Sequence, residues 1–165
     1  MKPWQIVTLV LLGFILFKRK EITKDVIGVT RGLLNKNPLN LRYVEGIKWD
    51  GQTGKDANGF AQFETMAKGL RAGVMTIRNK QKLHGLKTIR EIITQFAPPS
   101  ENDTEAYIKL VTRENNIKDN QIIDLVNNDG LLAGVVRSMI KMEQGINPIS
   151  NEMVNTAIAQ TGVVA

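Results

Sequence analysis

Apolar positions recur through the second half of the chain at spacings of three and four, and each run follows a residue able to cap a helix. Thr65 precedes Met66, Leu70, Val74 and Ile77, a stripe that ends near His84-Gly85. Thr88 precedes Ile89, Ile92, Ile93 and Phe96, and Pro98-Pro99 stops that helix. Asp103 or Thr104 opens one that buries Tyr107, Ile108 and Val111. Asp119 opens a short one through Ile122, Ile123 and Val126, and Ser150 caps a last one through Met153, Val154 and Ile158. Between these two, a helix opened by Asp129 stacks Leu132, Val136 and Met139 on one face, with Gly145 placed to end it and Pro148 unable to continue it.

The pattern is different upstream. From Asn35 to Phe63 the chain is dense in Gly and Asn, with short alternating pieces at Leu39 to Val44 and Gly59 to Phe63. This predicts turns joining short strands in a small hairpin or irregular sheet. The expected fold is mainly α, of the α+β class: a helical domain over residues 37–165 with one small β-sheet. Ahead of it, Trp4 to Phe17 is apolar all round apart from Gln5 and Thr8, and Lys18-Arg19-Lys20 closes the run. No small-residue cleavage site follows, so residues 1–20 read as a retained transmembrane anchor and 21–36 as a polar linker, weakly amphipathic around Val26 to Leu34. The basic cluster outweighs Lys2, which places the globular part on the cytoplasmic side or the equivalent face of a membrane acquired from the cell. The expected location is single-pass, in a virion membrane or the host inner membrane.

Composition narrows the chemistry. The 165 residues carry a formal charge of +6 and a pI near 9.7, which favours an anionic partner: nucleic acid, anionic lipid or bacterial wall polymer. The Lys and Arg residues are spread along the chain without a nucleic-acid motif, so nucleic acid is not the expected partner. With no cysteine and a single histidine, thiolate chemistry, zinc-cysteine sites and histidine-rich metal sites are excluded. No metal or cofactor is expected. Any catalysis rests on carboxylates, hydroxyls or amides.

Glu143 continues the stripe of Leu132, Val136 and Met139 at the last turn of its helix. A carboxylate at the end of an apolar face is costly to ionise, so its pKa rises and it holds a proton near neutral pH, as a general acid must. The alternative is an outward-facing Glu143 paired with Lys141 or Arg137. Tyr43, Trp49, Asn40, Arg42 and Gln52 suit a sugar-binding groove, where rings stack and amides bind hydroxyls; alternatively Trp49 and Tyr43 plug the sheet against the helices. His84, alone before a glycine at a helix end, reads as structural.

Three segments together resemble the superfamily of goose-type lysozymes and lytic transglycosylases. Glu143-Gln144-Gly145-Ile146-Asn147-Pro148 is similar to its E-S-G-x-N-P, whose glutamate ends a buried helix and is the catalytic acid. Gly59-Phe60-Ala61-Gln62-Phe63 is similar to its G-L-M-Q strand, and Phe60 joins the groove candidates. Glu101 to Ile108 resembles its E-T-x-x-Y-V segment, whose tyrosine approaches the glutamate. The order departs from the family, since the glutamate segment comes last, so the resemblance implies a circular permutation. The span from Leu33 to Pro148 also resembles muralytic proteins carried in bacteriophage particles.

The resemblance implies cleavage of the β-1,4 bond between N-acetylmuramic acid and N-acetylglucosamine in peptidoglycan, with Glu143 as acid and then base, and Tyr107 and Gln62 orienting it. The family's pattern dispenses with a second carboxylate. Asp50, Asp56 and Glu64 flank the sheet as candidates for one, Glu64 foremost. The expected partners are peptidoglycan, the membrane through Trp4 to Phe17, and other virion proteins. Three rivals stand beside this reading: an endopeptidase on the same fold, a non-catalytic virion membrane or structural protein, and, on charge alone, a DNA-packaging or condensing protein.

Overall fold

The computed structural model describes residues 30–161. The expected anchor, Trp4 to Phe17, lies outside them; among the described residues no helix is long and apolar enough to cross a membrane. The described residues form a mixed α/β unit of six helices and one two-stranded antiparallel sheet. In chain order these are α1 (Arg31–Leu34), β1 (Gln52–Lys55), β2 (Ala61–Phe63), α2 (Met66–Lys82), α3 (Ile89–Phe96), α4 (Thr104–Asn115), α5 (Asp129–Gln144) and α6 (Asn151–Ala159).

Local chemistry sets most helix starts. The side chains of Thr65, Asp103 and Ser150 each accept a backbone N–H of the first turn that would otherwise lack a partner, and Thr88 with Glu91 forms a capping box. For α5 the cap is Asn128 rather than Asp129, which becomes the first-turn acid favoured at the positive end of the helix dipole. Helix α5 is the centre of the core. Leu132, Val135, Val136, Met139 and Ile140 are all fully buried, and α4, α6 and α1 pack around it.

The sheet pairs Lys55 with Ala61, Gly54 with Gln62 and Gln52 with Phe63, with a break in register between Gln52 and Gly54. Its turn is built by Asp56, whose Oδ1 accepts the N–H groups of Asn58 and Phe60 at 2.9 Å each. The expected strand at Leu39 to Val44 shrinks to a bridge between Arg42 and Phe60, flanked by backbone bonds from Ala61 to Leu41 and from Tyr43 to Gly59. Asn37, fully buried, holds this piece in place. Its amide donates to the carbonyls of Leu41 and Ala61 and its Oδ1 accepts the Leu41 N–H, each at 2.9 Å.

Two expectations are corrected. Residues 119–126 are not a helix. Ile122 bridges Thr88 in antiparallel fashion, and Ile122 is 75% exposed while Ile123 and Leu125 are buried, an alternation of period two. Gln81 anchors the segment by donating to the Ile123 carbonyl at 2.7 Å and accepting the Leu125 N–H at 2.5 Å. The compact unit also begins at Arg31 rather than 37, because α1 and the buried Asn35 pack with the domain instead of serving as linker.

Candidate active site

Glu143 lies on the last turn of α5, one turn beyond the fully buried Met139, and Gly145 ends the helix in the left-handed conformation with φ 74°. The helix therefore delivers the carboxylate from the core to the protein surface at a half-buried position. The Tyr107 hydroxyl donates to Glu143 Oε1 at 3.1 Å, and the Asn40 amide donates to Oε2 at 2.8 Å. Burial pushes the Glu143 carboxyl above its ordinary value; the bonds from Asn40 and Tyr107 and the charge of Arg31 act in the opposite direction without cancelling it. Tyr107 is 2% exposed, and burial next to the Glu143 carboxylate pushes its phenol well up, so it stays protonated and keeps donating. Its ring meets Phe96 edge-on, with centroids 6.5 Å apart.

Among the described residues Glu143 makes no salt bridge. Lys141 turns instead to Glu114, at 2.5 Å.

Asn40 reaches the carboxylate from a strained backbone, with φ 47°, a region asparagine tolerates better than most residues. The loop before it is fixed at three points: by Asn37, by the Asn40 N–H to the Asn37 carbonyl at 2.9 Å, and by Gln144, whose buried amide donates to the Pro38 carbonyl at 2.7 Å. Asn40 Oδ1 is buried without a hydrogen-bond partner among the described residues. Such an orphan calls for an explanation. An amide turned end for end presents this oxygen to Glu143 in place of the NH2, so Asn40 can donate to the ionised carboxylate or accept from the protonated one.

The carboxylate opens into a groove of about 770 Å³ whose walls include Arg31, Asn40, Phe60, Phe96, Glu101 and Glu143. The guanidinium groups of Arg31 and Arg42 stack on the Phe60 ring, 3.6 and 4.3 Å from its centroid. Arg42 also pairs with Glu101 at 2.7 Å and donates to the Asn58 carbonyl at 3.1 Å.

The structure thus gathers Glu143, Tyr107, Asn40, Arg42 and Phe60 at one groove. Gln62 stands apart: its amide donates to Asn35 at 3.3 Å, and Asn35 in turn donates to Asp56 at 2.7 Å. None of Glu64, Asp50 and Asp56 lines the groove. Glu64 is exposed, and its backbone bonds Gly51 and Lys36. Asp50 is held below the ordinary carboxylate range by its bond from Lys68, and Asp56 by the Phe60 N–H of its turn. Tyr43 and Gln52 line a separate shallow depression, with Lys55 over the Tyr43 ring. Trp49 is half-buried against the core and borders an adjoining cavity shared with Asn40 and Arg42. Sequence reasoning missed Arg31, Asn37 and the bond made by Gln144. The spacing Asn37-Pro38-Leu39-Asn40 was the available signal for the first loop contact.

No protein-family model matches the chain. It is 40% identical over 121 residues to Protein P5 of Pseudoalteromonas phage PM2, an alignment that spans 72% of this chain and 73% of that protein.

Proposed function

The chain belongs to the family of Protein P5 of Pseudoalteromonas phage PM2, and we propose that it is a peptidoglycan-cleaving enzyme of a phage particle, a lytic transglycosylase or muramidase with Glu143 as its one general acid/base. The observation that carries this reading is the setting of Glu143. It is a half-buried carboxyl with a raised pKa, held by Tyr107 and Asn40 and open to a groove with room for more than one sugar ring. The resemblance to a circularly permuted lysozyme-like domain agrees with it, since the tyrosine segment and the glutamate segment meet as that family's pattern implies.

In the proposed reaction the protonated Glu143 donates to the glycosidic oxygen, and the bond to the muramic C1 breaks. The resulting carboxylate takes a proton from the muramic 6-hydroxyl, giving the anhydro sugar, or from water, giving a reducing end. Tyr107 and the Asn40 amide stabilise the carboxylate between the two steps. The other groove carboxylate, Glu101, is engaged by Arg42, which favours a mechanism without a second acid. Trp4 to Phe17 would anchor the enzyme in a membrane close to the wall it opens.

The test is digestion of purified peptidoglycan by the full chain in detergent, parent against Glu143→Gln, with products read by mass spectrometry. Anhydromuropeptides or reducing-end muropeptides from the parent alone are the expected result. Peptide-only products would transfer the assignment to an endopeptidase. No product from a folded parent would leave a non-catalytic virion protein as the better reading.

A further inference from the structure

The groove holds two arginines on one aromatic ring, and they are not equivalent. Arg42 is neutralised by Glu101 at 2.7 Å, whereas Arg31 has no salt bridge among the described residues. The carboxylates nearest to Arg31 in charge influence are both otherwise engaged: Asp56 with its turn and Asn35, and Glu143 with Tyr107 and Asn40. The remaining groove residues, among them Asn58, Gln95 and Asn102, are uncharged. Counting the residues that line the groove, Asp56 not among them, and with Glu143 protonated as the proposed first step requires, one positive charge is left over, on Arg31.

We infer that Arg31 receives a carboxylate of the substrate and makes the groove selective for a glycan that carries acid groups over an uncharged one. The geometry suits the role. Stacking on Phe60 at 3.6 Å uses the face of the guanidinium and leaves its N–H groups, which lie in the plane, for a fork-like pair of bonds to a carboxylate. The ring also holds the side chain in place, so less freedom is lost on binding. In peptidoglycan the lactyl-linked stem peptides supply such carboxylates beside the scissile bond; chitin oligomers supply none. The inference rests on the reading of the groove as a glycan site, and it assigns Arg31 to specificity rather than to bond breaking.

The experiment measures binding, so that it is independent of turnover. The full Glu143→Gln chain in detergent is titrated with a soluble disaccharide-repeat muropeptide, with the same muropeptide after its carboxylates have been converted to amides, and with chitotetraose. Each titration is repeated with Arg31→Gln and Arg31→Lys in the same background. The expected result is about tenfold weaker binding on amidation or with chitotetraose when Arg31 is present. With Arg31→Gln that difference disappears, and with Arg31→Lys part of it is kept. Equal affinity for the native and amidated muropeptides, an undiminished preference in a folded Arg31→Gln chain, or no binding to any of the glycans would overturn it. Selective binding by a parent that releases no sugar would sink the enzymatic reading and leave this one standing; cleavage without selectivity would do the reverse.

Discussion

The side-chain amide of Gln144 lies over Gly32, so closely that a Cβ built there would overlap the amide nitrogen and stand 2.8 Å from the Asn37 carbonyl. Glycine at 32 and glutamine at 144 are therefore one fitted pair, which clamps the Asn37 to Asn40 loop against the end of the helix that carries Glu143. Gly32→Ala is expected to cost about 1–3 kcal/mol through overpacking. Gln144→Ala should cost a similar amount, about 1–3 kcal/mol, by leaving the buried Pro38 carbonyl without its donor. Thermal melts of both variants check this. If the chain cleaves peptidoglycan as proposed, both should also lose that activity beyond the fraction unfolded, since Asn40 loses its support.

Glu143→Gln separates activity from stability. If Glu143 is the acid, kcat should fall by roughly 10³-fold. The fold should gain stability at neutral pH, because the native state no longer buries a charge. The sign follows from linkage: a carboxyl whose native pKa is raised binds more protons folded than unfolded, so its contribution is complete below the ordinary carboxylate range and is lost as pH climbs through the raised value. The melting temperature of the variant should exceed the parent's by more at about pH 8 than at about pH 4, where both side chains are neutral. A constant gap would argue against the raised pKa.

Tyr107→Phe keeps the ring against Phe96 and removes the donor from Glu143. That bond lowers the pKa of the carboxyl, so its loss should raise the pKa further and move the alkaline limb of the pH profile of kcat/KM to higher pH. If Glu143 is the acid as proposed, the rate at the optimum should fall about tenfold, equal to roughly 1.4 kcal/mol, for one hydrogen bond to a charged group. A packing role alone would change stability and leave the profile in place.

Arg78 ties α2 to the start of α5 and the end of α6, pairing with Asp129 and donating to Thr161 Oγ1 at 2.8 Å and to the Ile158 carbonyl. The two members of the ion pair differ in burial: the Arg78 side chain is 10% exposed and that of Asp129 63%. Asp129→Ala strands a buried guanidinium whose Nε already lacks a partner, whereas Arg78→Met leaves a carboxylate that water can solvate. Urea denaturation should therefore show the larger loss for Asp129→Ala, about 3 kcal/mol against about 1 kcal/mol.

What was legible in the sequence follows the range of the interactions involved. The caps at Thr65, Thr88, Asp103 and Ser150 act on N–H groups within three residues, so spacing alone locates them. The stripe of Leu132, Val136 and Met139 is periodic and was equally plain. Ile122, Ile123 and Val126 fit a helical spacing while Ile123 and Leu125 fit an alternating one, and the pairing of Ile122 with Thr88, set by tertiary contact, decided for the extended form. The meeting of Tyr107 with Glu143 was anticipated through family resemblance, whereas Arg31, Asn37 and Gln144 owe their parts to contacts across the chain that no local pattern carries. Asp50, Asp56 and Glu64 were attractive for lying beside the sheet. Asp50 and Asp56 serve it as pairing and turn-forming groups instead.

The hydrogen bond between Asn40 and Glu143 joins residues 103 apart in the chain. A ribosome adding 5–20 residues per second would expose the amide roughly 5–20 s before the carboxylate. Closing so long a loop costs entropy that the neighbouring helices do not incur, which places the pairing late in folding, after the capped helices have formed. A growing chain thus carries Glu143 apart from Asn40 until most of the domain has been made, and the groove gains Glu143 only with α5.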